Sequence, residues 1–400
     1  MSLAGRRVVL GVSGGIAAYK AVEVCRRLMD LGAHVSPILT ANATKFVGTA
    51  TFSAVASERA ITSLYDNAGD PSPHTRLGQN ADLIVVAPAT ARAISAYATG
   101  NAEGLLIATL LATRAPVLVC PAMHTEMWEH PAVQDNLAIL RRRGVHVLEP
   151  DSGRLAGGDV GAGRLPEPAE IVRAAARVLA PQDLKGVRVL VTAGGTREAI
   201  DAVRVITNRS SGKQGHAIAE EAAARGASVT LVTTTERPVS RGIERVPVNS
   251  AADMLAAVTA QRDAADVIVM AAAVADFRPV EPAGGKIKKD AGVPEIVLEP
   301  TEDILRGLGA AKRPGQILVG FAAETEDVVA NATAKLTRKH LDLIVANDVS
   351  APGVGFDHDT NAVTIVSADG PVLEVPLSSK HEVARALLDA VAYRLPRSNQ

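Results

Sequence analysis

The segment Gly186–Arg225, GVRVLVTAGGTREAIDAVRVITNRSSGKQGHAIAEEAAAR, sets the architecture of the whole chain. Its β-branched run Val187–Thr192 ends in Gly194-Gly195, a polar excursion leads to Ser210-Ser211-Gly212-Lys213, and the small-residue run His216–Ala224 follows. This reads as a strand, a glycine turn, a long loop and a helix. Free N–H groups at the helix start, the helix dipole and Lys213 together favour an anion, phosphate above all. An ordinary Ser-capped surface helix has the same local signature. Two further features favour the anion: Arg197, Asn208 and Arg209 sit in the same loop, and a weaker copy of the plan lies near the N-terminus.

In that copy, Arg7–Gly11 reads as a strand, Ser13-Gly14-Gly15-Ile16 as the turn and Ala17–Leu31 as the helix. Gly32 stops the helix, and Val35–Leu39 is the next strand, ending at Thr40. Gly226-Ala227-Ser228-Val229 stands where Gly32-Ala33-His34-Val35 stands, and Ala81–Ala87 is echoed by Ala265–Ala271. The expected fold is α/β: two tandem doubly wound, Rossmann-like domains, residues 1–180 and 186–400, with the seam at Ala180–Gly186. Neither glycine turn is a full GxGxxG, and the second strands end at Thr40 and Thr233 rather than in a ribose-binding acid. A mononucleotide therefore fits each turn better than NAD.

Composition agrees. Four hundred residues exceed one ordinary core, and 47% hydrophobic residues with 2% aromatics suit the Val, Ala, Leu and Ile of buried parallel sheets. A net charge of −1 points to neither nucleic acid nor a membrane surface, and two cysteines, Cys25 and Cys120, make no disulfide scaffold. No apolar run reaches membrane-spanning length, and Gly11–Gly15 interrupts any signal-peptide core, so a cytoplasmic protein is expected.

Between these landmarks lie the candidate site residues. Pro71 and Pro73 extend the loop before His74, a histidine ahead of a short helix and a candidate base, though a solvated loop histidine is the commoner fate. Ala87-Pro88-Ala89-Thr90 leaves a buried strand at the edge where α/β ligands sit. Val117–Cys120 runs into Pro121-Ala122-Met123-His124-Thr125-Glu126-Met127-Trp128, and Ser152–Arg164 is a glycine-rich flap with arginines Arg154 and Arg164. In the second half, Ala271-Ala272-Ala273-Val274-Ala275-Asp276-Phe277 leaves an all-small strand exit. Lys286-Ile287-Lys288-Lys289 makes a basic loop, and Glu302-Asp303-Ile304-Leu305 begins a helix. Phe321 follows a strand, Lys335, Arg338 and Lys339 form a cationic stripe, and Asp369-Gly370 centres a hairpin.

Gly11–Lys20, His74, Ala87–Thr90, Pro121–Trp128 and Ser152–Arg164 resemble the flavin-dependent cysteine decarboxylases. With Ala193–Glu198 and Thr207–Lys213 added, the whole chain resembles the bifunctional phosphopantothenoylcysteine decarboxylase/phosphopantothenate–cysteine ligases of coenzyme A biosynthesis. The resemblance implies a flavodoxin-like front domain with FMN on Ser13, Gly14, Gly15, Thr40, Ala89 and Thr90, and His74 as base. His124 and the flap, with Gly157, would meet the substrate. It implies a rear ligase that uses CTP, with Mg²⁺ on the triphosphate, to activate 4′-phosphopantothenate as an acyl-cytidylate for attack by L-cysteine. Met270, Ala271, Ala272, Asp276, Lys286, Glu302, Asp303, Ile304, Leu305, Phe321, Lys335 and Lys339 would hold CTP. Asn208 would turn over the intermediate, and Ser211, Gly212 and Lys213 would cradle phosphate. It further implies a homo-oligomer, with the decarboxylase site between subunits.

Two positions depart from the family pattern. His124 stands where Asn is usual, and Gly157 stands where many members carry a flap cysteine that returns a proton to the enethiol. Asp159, His124, Cys120 or water would then have to supply that proton, or the enethiol would be released. The alternative is a flavoprotein that binds and regulates partners, its decarboxylase impaired by Gly157.

Overall fold

The computed structural model describes residues 3–65, 70–288, 295–324, 327–348, 358–369 and 372–396; Lys289, Thr325 and Gly370 lie outside them. The chain divides between Ala180 and Pro181 into two compact units.

In the first unit, β1 (Arg7–Val12), β2 (His34–Leu39), β3 (Leu83–Ala89), β4 (Val117–Pro121) and β5 (His146–Val147) form a parallel sheet in the order β2-β1-β3-β4-β5. Every residue of β3 is buried, and each large aliphatic side chain in it contributes roughly 1.5–3 kcal/mol. The helix Lys20–Asp30 buries Ala21, Val24, Cys25 and Leu28, a single stripe at helical spacing. Gly32, at φ +84, follows it and donates its N–H to Met29 O. The order 2-1-3-4-5 places a switch point between β1 and β3, where successive crossovers leave in opposite directions and open a crevice.

The flap is more regular than its glycines suggest. β6 (Asp151–Arg154) and β7 (Val160–Arg164) pair as an antiparallel ribbon. Gly163, at φ +128, lies against the chain at Met123: a Cβ there would stand 2.2 Å from Met123 O, while its carbonyl accepts the Met123 N–H at 3.0 Å. The glycines thus permit close packing of the ribbon as well as its turn.

The second unit holds β8 (Arg188–Ala193), β9 (Arg197–Ala199), β10 (Val205–Thr207), β11 (Ser228–Thr233), β12 (Ile243–Pro247), β13 (Val267–Met270), β14 (Phe277–Pro279), β15 (Leu298–Pro300), β16 (Ile317–Glu324), β17 (Leu343–Asp348), β18 (Thr360–Ser367) and β19 (Leu373–Ser379). Its main sheet runs β12-β11-β8-β13-β16-β17-β18-β19, parallel up to β17 and antiparallel beyond. The long loop after Gly195 contains the two-stranded arm β9–β10, and β14–β15 forms a second arm. The helix Lys213–Ala224 rides close on β8: a Cβ on Gly215 would lie 2.6 Å from Thr192 O and from Ala193 Cβ. Arg225 ends that helix with only 1% exposure, held by Asp183 and by Asp389 at 2.7 Å. Among the described residues no helix is long and apolar enough to cross a membrane.

Candidate functional site

The front site begins where β1 and β3 end. The Ser13 hydroxyl is buried; it donates to Pro88 O at 2.7 Å and accepts the Thr90 N–H at 2.9 Å, tying the two strand ends together. Thr90 in turn caps the helix Ala91–Thr99. Gly15 caps the turn Ile16–Tyr19 with no side chain on its first N–H groups, which leaves them to an anion. The two glycines of the turn differ in kind. A Cβ on Gly14 would lie 2.3 Å from Asn42 Cβ, whereas one on Gly15 would meet nothing nearer than Thr90 Cγ2 at 3.5 Å. Gly14 serves packing; Gly15 keeps open space open.

That space is a cavity of about 1110 Å³ lined by Ser13, Gly14, Gly15, Thr40, Thr90, His124 and Gly157, with Lys20, Arg154 and Arg164 on its walls. Ala89 is fully buried beneath it rather than on its lining. The flap is fixed to the Pro121–Trp128 segment, where the Thr125 hydroxyl donates to Ala162 O at 2.8 Å. His124 has a carboxylate at each ring nitrogen, Glu126 at Nδ1 and Asp159 at Nε2, the latter at 3.1 Å. Those bonds, to Glu126 first and Asp159 second, raise its pKa above the ordinary histidine value. Of the two residues ending the motif, Met127 is 48% exposed on the cavity while Trp128 packs on the core. Burial pushes the Cys120 thiol far above its usual range, which removes it as a proton donor.

His74 is not among the residues that line this cavity. It lies in the first turn of the helix Pro73–Asn80, and its buried Nδ1 has no hydrogen-bond partner among the described residues.

In the second unit, Gly194 (φ +90) and Gly212 (φ +73) pack against each other and against Thr234 and Thr235. A Cβ on Gly194 would lie 2.1 Å from Thr234 Oγ1, itself buried and without a hydrogen-bond partner among the described residues. An orphaned hydroxyl beside a glycine cradle at a helix start suits a phosphate-bearing ligand. His216 sits below, with Nε2 2.9 Å from Thr235 Oγ1, and burial pushes its pKa down to about 4. Lys213 reaches outward to Asp359 at 2.7 Å, and Ser211 adjoins it in the turn.

Asn208 spans to the exit of β13, its amide donating to Val274 O at 3.0 Å. Thr192 and Thr196, absent from the sequence-derived site, support the same exit: their hydroxyls accept the N–H groups of Ala272 and Ala275. Met270, Ile304 and Leu305 have core side chains; Ala271 and Ala272 continue the exit and Asp276 follows in the turn before β14. Asp303 caps the helix Ile304–Ala310 and pairs with Lys339 at 2.7 Å, while Glu302 is exposed. Phe321 lies in β16 against the core, and Lys335 is in the last turn of the helix Val328–Arg338.

Lys286 is exposed and has no ion-pair partner among the described residues, but its loop is anchored. The Asp201 carboxylate accepts from the N–H groups of Val203, Arg204 and Ile287 and from the Arg204 guanidinium, whose Nη2 also donates to Ile287 O. The guanidinium, followed by those backbone donors, holds the Asp201 carboxyl well below the usual carboxylate range. Sequence reading passed over Asp201; its only local signal was the i, i+3 spacing to Arg204 in a turn. Among the described residues no group of three or more His, Cys, Asp or Glu forms a metal site.

Two phosphate-suited turns on parallel sheets, the first opening onto a ligand-sized cavity, define a pair of nucleotide-binding α/β units. Family models agree: residues 1–180 match "Flavoprotein", and residues 184–395 match the "DNA/pantothenate metabolism flavoprotein C-terminal domain". The Coenzyme A biosynthesis bifunctional protein CoaBC of Mycobacterium bovis is 50% identical over 96% of each chain. That of Bacillus subtilis is 46% identical over 98% of this chain and 97% of its own. A crystal structure of the C-terminal domain of a CoaBC protein aligns at 45% identity, covering 53% of this chain and 97% of that one, with a TM-score of 0.46. The chain belongs to the CoaBC family of bifunctional coenzyme A biosynthesis proteins. Its front half is a flavoprotein unit, and the uncapped turn, open Gly15 and cavity fit a flavin phosphate.

Proposed function

We propose that the chain joins 4′-phosphopantothenate to L-cysteine with CTP in its rear unit and decarboxylates the resulting 4′-phosphopantothenoylcysteine in its front unit. The observation that carries the reading is the front cavity, where the Ser13–Gly15 turn, His124 and the flap line one space. A β-carboxylate beside an amide has no electron sink, so loss of CO2 from the cysteine moiety is slow. FMN held at the Ser13–Gly15 turn would supply that sink as a two-electron acceptor for the substrate thiol. The protein's part is to hold the phosphate at Gly14 and Gly15, dock the substrate carboxylate on His124 and exclude water with the flap.

His74 is the base, and it acts on the cavity of a second copy of the chain. That assignment answers its absence from its own cavity and its unpartnered Nδ1. A homo-oligomer also covers Ile16 and Tyr19, exposed at 61% and 62% beside the cavity. On the rear unit it covers the apolar arms carrying Val203, Phe277 and Val297. The reading needs neither nucleic acid nor a membrane, and it places the enzyme in the cytoplasm.

In the rear unit the cradle of Gly194 and Gly212 takes a phosphate group, while CTP lies along the β13 exit toward Asp276 and Asp303. Lys286, Lys335 and Lys339 would offset its charge, and Mg²⁺ carried in with the nucleotide would add further positive charge there. Asn208 stabilises the oxyanion formed as cysteine's amine displaces CMP. The regulatory alternative, resting on Gly157, has no structural feature in its favour. Lys286→Ala tests the assignment: acyl-cytidylate formation should be lost while supplied 4′-phosphopantothenoylcysteine is still decarboxylated. Normal ligation by that variant would refute it.

A further inference from the structure

We propose that His124, flanked by Glu126 and Asp159, is the acid that protonates the substrate carbon after CO2 leaves. This rests on the front cavity being the decarboxylase site. Gly157 provides no side chain for the task, and its bareness shapes the place where the proton is delivered. A Cβ at Gly157 would stand 3.3 Å from Asp159 Oδ2 and 3.6 Å from His124 Nε2, so the flap leaves a bay opening on those two groups. Both His124 and Gly157 line the cavity. Cys120 is fully buried at the end of β4 and takes no part.

Loss of CO2 from the oxidised substrate leaves an enethiolate, N–CH=CH–S⁻. The saturated product requires a proton on the carbon that lost CO2 and a hydride on the carbon bearing sulfur. The hydride is the one removed from the thiol side at the start of the same turnover, so no further reductant enters. The proton must come from an acid in reach of the first carbon. A substrate carboxylate docks on the His124 cation in place of the Asp159 carboxylate, one acceptor exchanging for another. Once CO2 departs, the same Nε2–H faces the carbon that carried it. The Nε2–H bond breaks, the C–H bond forms and the sulfur lone pair closes to C=S, which then takes the hydride to give the thiolate. His124 is left neutral and, with its side chain 38% exposed, regains a proton from solvent. Glu126, which stays on Nδ1 when Asp159 is displaced, is the positioning residue that orients the ring and keeps it charged; Asp159 holds the ring in the free enzyme.

The test supplies full-length enzyme and FMN with 4′-phosphopantothenoylcysteine and weighs the product. Wild type should give the saturated thiol. His124→Asn should release CO2 but raise the ratio of the thiol two hydrogens lighter to the saturated one by roughly a hundredfold. On flavin-free protein, imidazole NMR should show His124 titrating above an ordinary histidine, and lower in Asp159→Asn. If His124→Asn releases no CO2, Glu126→Gln carries the product assay: a shift toward the lighter thiol supports the proposal and none overturns it. Saturated product at the wild-type ratio from His124→Asn overturns it, as does wild type releasing the lighter thiol. No CO2 from wild type instead refutes the decarboxylase reading itself.

Discussion

The pair Gly14→Ala and Gly15→Ala separates packing from ligand clearance at the front turn. The Cβ of Gly14→Ala would sit 2.3 Å from Asn42 Cβ and 2.6 Å from Asn42 C, so the Asn42 backbone must retreat by roughly an ångström to reach ordinary contact. That backbone is pinned, since Thr40 O and Thr40 Oγ1 both accept the Ala43 N–H at the start of a tight turn. Overpacking of this sort costs about 1–3 kcal/mol. Because Thr40, Ala41 and Asn42 all line the cavity, the same displacement should weaken FMN by roughly 5- to 150-fold. Gly15→Ala meets only Thr90 Cγ2 at 3.5 Å, so the fold should be untouched while its methyl enters the ligand's space. Urea melts and FMN fluorescence titration of both variants read the two effects. Gly14→Ala should lose stability and affinity together, Gly15→Ala affinity alone. Wild-type FMN affinity in Gly15→Ala would refute the placement of the cofactor phosphate at this turn.

Other expectations are more local. Asp201→Asn should lower ligase kcat/KM by roughly tenfold and speed amide exchange at Ile287, with decarboxylation unchanged, because the lysine loop loses its carboxylate anchor. Unchanged exchange at Ile287 would show the anchor idle. The buried His216, with its pKa depressed to about 4, favours folding when neutral. The unfolded chain binds the extra proton between about pH 6.5 and pH 4, so His216's contribution should fade as pH drops through that window, by on the order of 3 kcal/mol. His216→Gln should flatten that limb of the stability profile; an unaltered slope in urea melts would contradict the assignment.

Much of the fold is local and therefore readable. The β-branched run before Gly194, the helix stop at Gly32 and the strand ends at Thr40 and Thr233 are set by residues adjacent in sequence. Sheet order and the antiparallel extension through β18 and β19 depend on partners far along the chain, which no local pattern encodes. The same holds for Arg225, whose partner Asp389 lies 164 residues away. The glycine-rich flap hid its ribbon because its glycines relieve contacts with Met123 and Thr125 that only the folded state contains. At the site, the turns and His124 were legible from residue type. The Asp201 anchor and the thread from Thr192 and Thr196 to the β13 exit were not. Each is a tertiary contact made by residues of ordinary local character.

The central claim is that one chain performs two successive conversions on one substrate. Purified protein given 4′-phosphopantothenate, L-cysteine, CTP, Mg²⁺ and FMN, followed by mass, should consume CTP to CMP and pyrophosphate and accumulate 4′-phosphopantetheine by way of 4′-phosphopantothenoylcysteine. Neither CMP nor any product lacking CO2 would contradict both halves of the account, and 4′-phosphopantothenoylcysteine accumulating with no further change would contradict the front half.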